Sequence, residues 1–438
     1  MPSEKARFSK RRVLETGKSV FIAALVILAL LLGAETGLYS GGLGTGELFE
    51  RLGALISFGG GDFPEGNGAE RTVFPEAARP MAMAVTFEDG SRYGVKYSAE
   101  VYAAYERFKP VLRGALGSAF DAEEITGSEW ELALGRRGVY FDFLFEQSLP
   151  MLLEWLGGGE RPGGIAERSA RRLLISEVEG GLYLYYADER DGRFYRAATA
   201  LGSFQLEPIL PEFSPNRAAF GYEDARYEGT GPYFLYVGEM PEIQDFEVRT
   251  MPKNVMDEIF PVFGMNRYVA GRVPLVNSGE GYIENDSYLE IYPSGLIRFS
   301  GGIYTGAGVP ENITAMEAAA RAREIASECL KPAEGRDWLN LRSIDYAPES
   351  LEYTITFVYI LAGTPVIYAD SDSAAEIKIR GGEVVRATIY AREYIPMSER
   401  EERLLPERQA AAIAAQRDGG EPRLIYTDTG TAARAAWY

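Results

Sequence analysis

Histidine does not occur in this chain of 438 residues, and cysteine occurs once, at Cys329. The lack of histidine excludes Ser-His-Asp and Cys-His catalysis, histidine-ligated zinc and histidine-based pH switching. A single cysteine excludes an internal disulfide, and an exported domain without disulfides is more typical of a bacterial surface than of a eukaryotic secretory lumen. Cys329 follows a helical pattern of small apolar residues, which predicts a buried thiol with a packing role.

Long apolar runs are equally scarce, because residues 20–34 form the one long stretch without charge or proline. With its flanks the stretch covers residues 19–38, about the 20 residues that an α-helix needs to cross a bilayer. Six basic and two acidic residues precede it, a bias that places the N-terminal end in the cytoplasm. We therefore predict a single-pass membrane protein of the cell membrane, with cytoplasmic residues 1–18, a transmembrane helix over 19–38 and an extracytoplasmic C-terminal part.

Two alternatives stay open for the apolar stretch. A cleaved signal peptide also combines a basic start with an apolar centre, although the residues around Ala34 fit a cleavage site poorly. A buried core helix is the other alternative. In a membrane helix, Ala29 and Gly33 form a small-xxx-small pair that permits close approach of a second helix. These two residues are therefore the candidate helix-contact residues in the membrane.

Acidic residues dominate the rest of the chain. There are 45 Lys and Arg against 64 Asp and Glu, a formal net charge of −19, and the first 18 residues are net basic. The remainder is therefore more acidic still. Bulk charge of this sign disfavours binding to nucleic acid and non-specific binding to anionic polymers or lipid head groups. We predict no nucleic-acid partner, and contact with the membrane through the single helix.

Length predicts two to three folded domains after the membrane helix. Residues 39–72 are rich in glycine, which is typical of a flexible linker. Alternating apolar residues and turn signals then predict a modular α+β ectodomain of antiparallel sheets with packed helices. We divide it into an N-terminal α+β domain at 73–205, a middle β-rich domain at 206–305 and a C-terminal α+β domain at 306–438.

Local patterns predict the elements of these domains one by one. The clearest is a helix over 315–330, since Thr314 and Glu317 form a capping box at its start. Gly381 and Gly382 indicate a tight hairpin turn. Further helices are predicted from about residue 99 and over 125–134, 149–157, 254–260 and 405–417. Strands are predicted over 81–87, 93–97, 138–143, 171–176, 181–186, 192–197, 233–237, 246–249, 287–292, 296–299, 339–347, 351–361, 364–368, 375–380, 383–394, 422–426 and 432–438.

The sequence contains no clear catalytic, cofactor or metal motif. Its many carboxylates provide numerous pairs of the kind that a glycosidase needs, and none stands out. Residues 370–376 resemble a calcium loop but lack its glycine and its final glutamate. Residues 301–308 are glycine-rich but lack the P-loop lysine. The aromatic strand residues Tyr183, Tyr185 and Tyr186 are compatible with a small core and with a partner surface. We expect neither catalysis nor a cofactor.

Several longer stretches together resemble the YycH/YycI family of membrane-anchored regulators. They are the basic start with its anchor, EWELALGRRGVYFDFLFEQSLPMLLEWLG at 129–157, VFGMNRYVAGRV at 262–273 leading into SYLEIYPSGLIRFSG, and the C-terminal Ala436 and Trp437. The helix and strands of residues 314–394 also resemble a PepSY domain. Members of the YycH/YycI family regulate a two-component sensor kinase that controls cell-wall metabolism in Gram-positive bacteria.

This resemblance implies a non-enzymatic regulator that contacts a sensor histidine kinase through its transmembrane helix and its extracytoplasmic domain. It also implies a second YycH/YycI-family protein as a partner, and it transfers no catalytic residue. Other classes stay open, namely an extracytoplasmic ligand-binding module, a PepSY-type protease inhibitor and, third, an enzyme. A regulator is expected to need its own anchor, a soluble inhibitor to act when released, and an enzyme to lose activity on one carboxylate change.

Overall fold

The computed structural model describes residues 76–159, 162–188, 190–224, 231–250, 253–301, 313–333, 336–398, 404–417 and 420–438. The described residues form one compact unit. The predicted cytoplasmic segment, membrane helix and linker lie outside the described residues, and so do Ala29 and Gly33. Among the helices in the described ranges, none combines the length and apolar composition that a bilayer crossing requires.

The first sheet contains seven strands, and every neighbouring pair is antiparallel. The strands are β1 Pro80–Thr86, β2 Arg92–Lys96, β3 Phe120–Ile125, β4 Gly138–Ser148, β5 Ser169–Val178, β6 Gly181–Asp188 and β7 Arg193–Gly202. Their spatial order is β2-β1-β4-β5-β6-β7-β3. The turn between β1 and β2 uses Gly90 at a φ of 80°, so the predicted hairpin is confirmed.

Both faces of this sheet are buried, because successive strand residues point to opposite sides. On one side, Met83 and Phe141 pack against Tyr105 and Phe108 of helix α1, Glu100–Gly117. Tyr105 and Phe141 meet edge to face, with ring centroids 6.2 Å apart. The apolar stripe that predicts this helix is therefore the stripe that binds it to the sheet.

The other side is covered by helix α2, Gly127–Leu134, and by the segment around Phe220. Tyr140 of β4 joins Trp130 of α2 in a second apolar cluster. The rings of Tyr140 and Phe220 meet edge to face, with centroids 5.0 Å apart. A short helix α3, Leu149–Trp155, follows β4 directly. The sheet is thus the central layer of a three-layer arrangement.

The second sheet contains thirteen strands from the rest of the described chain. They are β10 Phe246–Thr250, β11 Gly271–Pro274, β12 Glu280–Glu284, β13 Ser287–Ile291, β14 Leu296–Ser300, β15 Trp338–Ala347, β16 Glu352–Leu361, β17 Thr364–Tyr368, β18 Ala375–Arg380, β19 Glu383–Tyr390, β20 Arg392–Pro396, β21 Leu424–Asp428 and β22 Ala432–Trp437. Two further strands, β8 Ala219–Phe220 and β9 Leu235–Tyr236, form a small separate sheet. The coarse prediction of a mixed α+β fold with antiparallel sheets is confirmed.

The strand order of the large sheet departs from a simple meander. It is β11-β12-β13-β14-β19-β18-β16-β17-β21-β22-β10-β20, and β15 pairs with β16. Strands β17 and β21 run parallel, which the sequence patterns do not predict. Strands of the predicted middle segment, 206–305, and of the predicted C-terminal segment, 306–438, share this one sheet. β14 pairs with β19, and β10 lies between β20 and β22.

One face of the large sheet carries the helices. Helix α4, Lys253–Val262, contacts helix α5, Ala315–Leu330, and α5 packs on the central strands with Ala322 and Ile325 fully buried. The predicted capping box is confirmed, because the Thr314 hydroxyl accepts from the Glu317 backbone N–H at 3.2 Å. The opposite face is solvated at β11 to β14, whereas at β15 and β16 it is apolar, because Trp338, Val358 and Ile360 pack against Met81 of the first sheet.

Several predicted elements differ from the structure. The helix predicted over 125–134 begins at Gly127, because Thr126 has extended backbone and caps it, while Ile125 ends β3. β3 itself was not predicted, since five of its six residues are exposed and show no apolar alternation. The strand predicted over 383–394 is two strands, β19 and β20, with different pairing partners. The last predicted helix is confirmed as α6, Glu407–Arg417.

Candidate interaction surface

Exposed apolar side chains are concentrated in one short segment. Of the thirteen large apolar residues that are exposed in the described ranges, five lie between residues 268 and 283. Isolated exposed apolar residues are common on soluble proteins, whereas a group of them marks a contact site. We call this group the apolar tip: Tyr268, Val269, Val273, Val276 and Ile283. Tyr268 is 97% exposed and Val276 is 82% exposed.

The hairpin of β11 and β12 carries different chemistry on its two faces. Its register places Val273 and Ile283 on one face, and Arg272 opposite Tyr282 on the other. The face with Val273 continues the solvated side of the large sheet. The face with Tyr282 looks towards helix α4, where Phe260 meets the tyrosine ring edge to face at 4.7 Å.

β11 is the last strand of the sheet and has an open edge. The Leu275 N–H donates to the Gly279 carbonyl at 2.9 Å, and hydrogen-bonded pairs alternate along an antiparallel ladder. The backbone groups of Arg272 and Pro274 therefore point outwards. Proline has no N–H, so this edge presents a single donor, and strand addition is disfavoured. A partner is expected to contact the side chains of the tip and not the strand edge.

The turn between these strands exposes Val276 to solvent. Asn277 and Ser278 follow it with φ angles of 63° and 60°, both in the left-handed region. Asparagine tolerates this region, whereas serine pays of order 1 kcal/mol for it. The backbone of the turn is therefore held in an unfavourable conformation that presents an apolar residue to water.

The inner face of the hairpin lines a cleft of about 350 Å³, which we call the hairpin cleft. Two ion pairs lie at this cleft, one between Arg267 and Asp257 and one between Arg272 and Glu280. The Tyr282 hydroxyl donates to the Glu280 carboxylate. Burial, followed by this hydrogen bond, raises the pKa of Tyr282, so the phenol stays protonated at neutral pH.

A second candidate site is a buried network of charged side chains between the first sheet and the C-terminal segment. It contains three cations and three anions, so its formal charge is balanced, and it borders a cavity of about 60 Å³. The members are Lys96, Asp142, Arg171, Arg172, Glu407 and Glu421. Because every cation already has a carboxylate partner, we interpret the network as structural.

Two members of this network, Lys96 and Glu407, are almost completely buried. The side chains of Lys96 and Glu407 are 3% and 4% exposed and form an ion pair. The Lys96 ammonium also donates to the Leu235 carbonyl and lies 3.9 Å from the ring centroid of Phe234. Burial lowers the pKa of Lys96, and the Glu407 carboxylate opposes that shift.

The residues that the sequence analysis considered individually lie outside these two sites. Tyr185 and Tyr186 are buried on opposite faces of β6, in two different clusters, and Tyr183 is partly buried beside the first of them. Adjacent strand residues cannot share a face, so these tyrosines belong to the core on both sides. Cys329 is fully buried, and burial raises the pKa of its thiol to about 12. Within the described ranges, no group of three or more Cys, Asp or Glu side chains is arranged to hold a metal ion.

The apolar tip was not predicted as a surface. The segment RYVAGRVPLVN contains apolar residues between glycine and proline, but neither helical nor strand periodicity extends over it. A single sequence shows that these residues are apolar and leaves open whether they find a partner within the fold.

The fold and surface together define a class: a mixed α+β protein with two large, mainly antiparallel sheets and an exposed apolar hairpin. No protein-family model matches the sequence, and no curated protein is significantly similar to it. Among solved structures, the chain is similar to the crystal structure of YycH from Bacillus subtilis, with a TM-score of 0.51 and 11% identity over 82% of this chain and 93% of that chain. The fold is therefore YycH-like. The resemblance to YycI proteins and to PepSY domains stays a prediction.

Proposed function

We propose that this chain is a non-enzymatic, membrane-anchored regulator of a sensor histidine kinase. The YycH-like fold over most of the chain is the observation that carries the proposal. Residues 19–38 anchor the protein with its N-terminus in the cytoplasm, and Ala29 and Gly33 contact a helix of the partner. A second YycH/YycI-family protein belongs to the same assembly.

The apolar tip supports an additional contact outside the membrane. Tyr268 is of a residue type that anchors protein interfaces when a partner buries it, and the aliphatic side chains of the tip would exclude water around such an anchor. The strained turn at Asn277 and Ser278 keeps Val276 presented and reduces the ordering that binding requires. We assign the tip to the extracytoplasmic domain of the kinase.

Capture from native membranes tests the regulator proposal. The tagged full-length chain is compared with a variant in which an unrelated transmembrane helix replaces residues 19–38, and captured proteins are identified by mass spectrometry. We expect a histidine kinase with the native chain and roughly tenfold less with the replaced helix. If no histidine kinase accompanies the native chain, the proposal is wrong.

The same capture tests the tip. Tyr268→Ser combined with Val276→Ser removes its two most exposed members and should lower kinase recovery about tenfold, since the two side chains together are expected to contribute about 1–2 kcal/mol. The matched control is Phe204→Ser, a change at an exposed aromatic residue beside the first sheet, which should leave recovery unchanged. Equal recovery for both variants would remove the tip from the interface.

A further inference from the structure

The hairpin cleft carries equal numbers of positive and negative side chains. The chain as a whole has a formal net charge of −19, whereas the cleft pairs Arg267 with Asp257 and Arg272 with Glu280. Two cations and two anions at one concave site make the cleft electrically neutral in an acidic protein. Both the positive and the negative side chains lie where a ligand can reach them.

These ion pairs are open to exchange. The side chains of Arg267 and Asp257 are 37% and 43% exposed, and those of Arg272 and Glu280 are 65% and 33% exposed. Ion pairs this accessible contribute little to stability, because water solvates the separated partners well. A ligand with its own charges can therefore replace one partner at low cost.

The floor of the cleft is apolar and aromatic. Phe260 is 2% exposed and Tyr282 is 6% exposed, and their rings fix each other edge to face. The volume of about 350 Å³ lies at the lower end of the range for small-molecule sites, which combine an apolar lining with a few polar groups. The cleft suits a ligand of a few residues with an apolar body.

Charge complementarity selects among ligand classes. A simple anion would meet the arginines but also the carboxylates of Asp257 and Glu280, and a simple cation would meet the opposite conflict. A ligand with one ammonium and one carboxylate satisfies both kinds of group and leaves no charge unpaired.

We propose that the hairpin cleft binds a short peptide with free termini. Its carboxylate lies on the arginines, its ammonium on Asp257 and Glu280, and an apolar side chain on the Phe260–Tyr282 floor. The inference rests on the proposed function, because the same hairpin carries Val273 and Ile283 of the apolar tip on its other face. Peptide binding then changes the conformation of the hairpin that contacts the kinase. The affinity for the peptide and the affinity for the kinase are therefore coupled.

Four forms of one tripeptide, Ala-Phe-Ala, test the ligand class on the full-length chain by calorimetry. They are the unblocked, the N-acetylated, the C-amidated and the doubly blocked peptide. The unblocked form should bind best, and each single block should weaken binding at least about tenfold, because it removes a charge-assisted contact. Equal affinity for the unblocked and doubly blocked forms, or no saturable binding up to about 10 mM, would overturn the proposal.

Two double variants assign the roles of the side chains. Arg267→Gln with Arg272→Gln should remove the preference for a free C-terminus, and Asp257→Asn with Glu280→Gln should remove the preference for a free N-terminus. The matched control, Arg193→Gln, breaks an exposed ion pair with Glu124 on the first sheet and should change neither. Thermal unfolding of each variant checks that the fold is retained. If neither double variant alters the preferences, the charged groups of the cleft do not bind the termini.

The experiments can overturn the regulator proposal and the peptide-site proposal independently of each other. Kinase capture without peptide binding would overturn the peptide site and leave the regulator standing. Peptide binding without kinase capture would overturn the regulator and favour a ligand-binding module. Saturating peptide is expected to change kinase recovery at least about threefold in either direction, a typical size for coupling between sites.

Discussion

At the scale of single residues, the least expected feature is a lysine ammonium inside the protein. Lys96 is surrounded by Glu407, a carbonyl and an aromatic face, and its pKa is lowered by burial. A buried ion pair is weak evidence for stability, since desolvation offsets much of the attraction between its members. Removing one member is strongly destabilising, because the other charge is then left in the interior without its partner.

A double-mutant cycle on this pair has a specific expected outcome. Lys96→Met should lower the free energy of unfolding by about 3–5 kcal/mol, and Glu407→Leu by a similar amount, because each leaves a buried unpaired charge. The double variant should recover most of the loss, since the two charges disappear together. Urea denaturation of the purified variants measures all three values. Additive losses in the double variant would show that the pair is not coupled.

Cys329 shows the opposite case, a residue whose environment makes it inert. The thiol is fully buried in α5, and its pKa is raised to about 12 by burial. Nucleophilic cysteines are partly exposed and have lowered pKa values. The prediction of a packing role is therefore consistent with where the residue lies and with its suppressed ionisation.

At the scale of elements, helix α5 depends on a cap that the sequence already indicates. Thr314 and Glu317 exchange hydrogen bonds in both directions at its start. Hydrogen bonds from Thr314 lower the pKa of Glu317; the larger effect comes from its backbone N–H and the smaller from its side-chain hydroxyl. Because a carboxylate with a lowered pKa stabilises the fold above its ordinary pKa, this contribution is lost as the pH falls below about 4.5.

Substitution of the cap residue tests this account. Thr314→Ala should lower the free energy of unfolding by about 1 kcal/mol at pH 7, whereas Thr314→Ser should retain most of it. The difference between wild type and Thr314→Ala should shrink at acid pH, where Glu317 is protonated. Urea denaturation at both pH values is the measurement. A difference that is the same at pH 3 and pH 7 would exclude a part for the Glu317 carboxylate.

Signals of this kind explain which elements the sequence predicts well. The capping box spans four residues and the turn at Gly381 and Gly382 spans two, so each depends on local chemistry alone. Strand β3 has no comparable signal, because five of its six residues are exposed and its pairing partner β7 is distant in sequence. The start of α2 was misplaced for the same reason, since Ile125 is apolar but belongs to that strand.

At the scale of the whole molecule, the C-terminal segment completes structures that begin far upstream. Strands β21 and β22 lie in the interior of the large sheet, between β17 and β10. Glu407 and Glu421 of the same segment neutralise cations of the first sheet. Residues 404–438 therefore connect both sheets through strand pairing and through buried charge.

Deletion of residues 404–438 should accordingly prevent cooperative folding. It opens the sheet between β17 and β10, and leaves Lys96 and the two arginines of β5 without their C-terminal carboxylates. Circular dichroism during heating and limited proteolysis are the measurements, and we expect cleavage within the first sheet as well as the second. Ile413→Ser, at an exposed position of α6, is the matched control and should unfold like the wild type. A deletion variant with an intact first sheet would show that the first sheet folds without this segment.

The sequence by itself determined what depends on composition and on near neighbours. The missing histidine and the single cysteine excluded whole classes of chemistry, and caps, turns and apolar alternation indicated most helices and strands. Only the tertiary structure decided the parallel pairing of β17 with β21, the burial of Lys96 against Glu407, and the exposure of the apolar tip above a neutral cleft. Each of these depends on contacts between residues that are distant in sequence, because burial and pairing are properties of the packed chain and not of a local pattern.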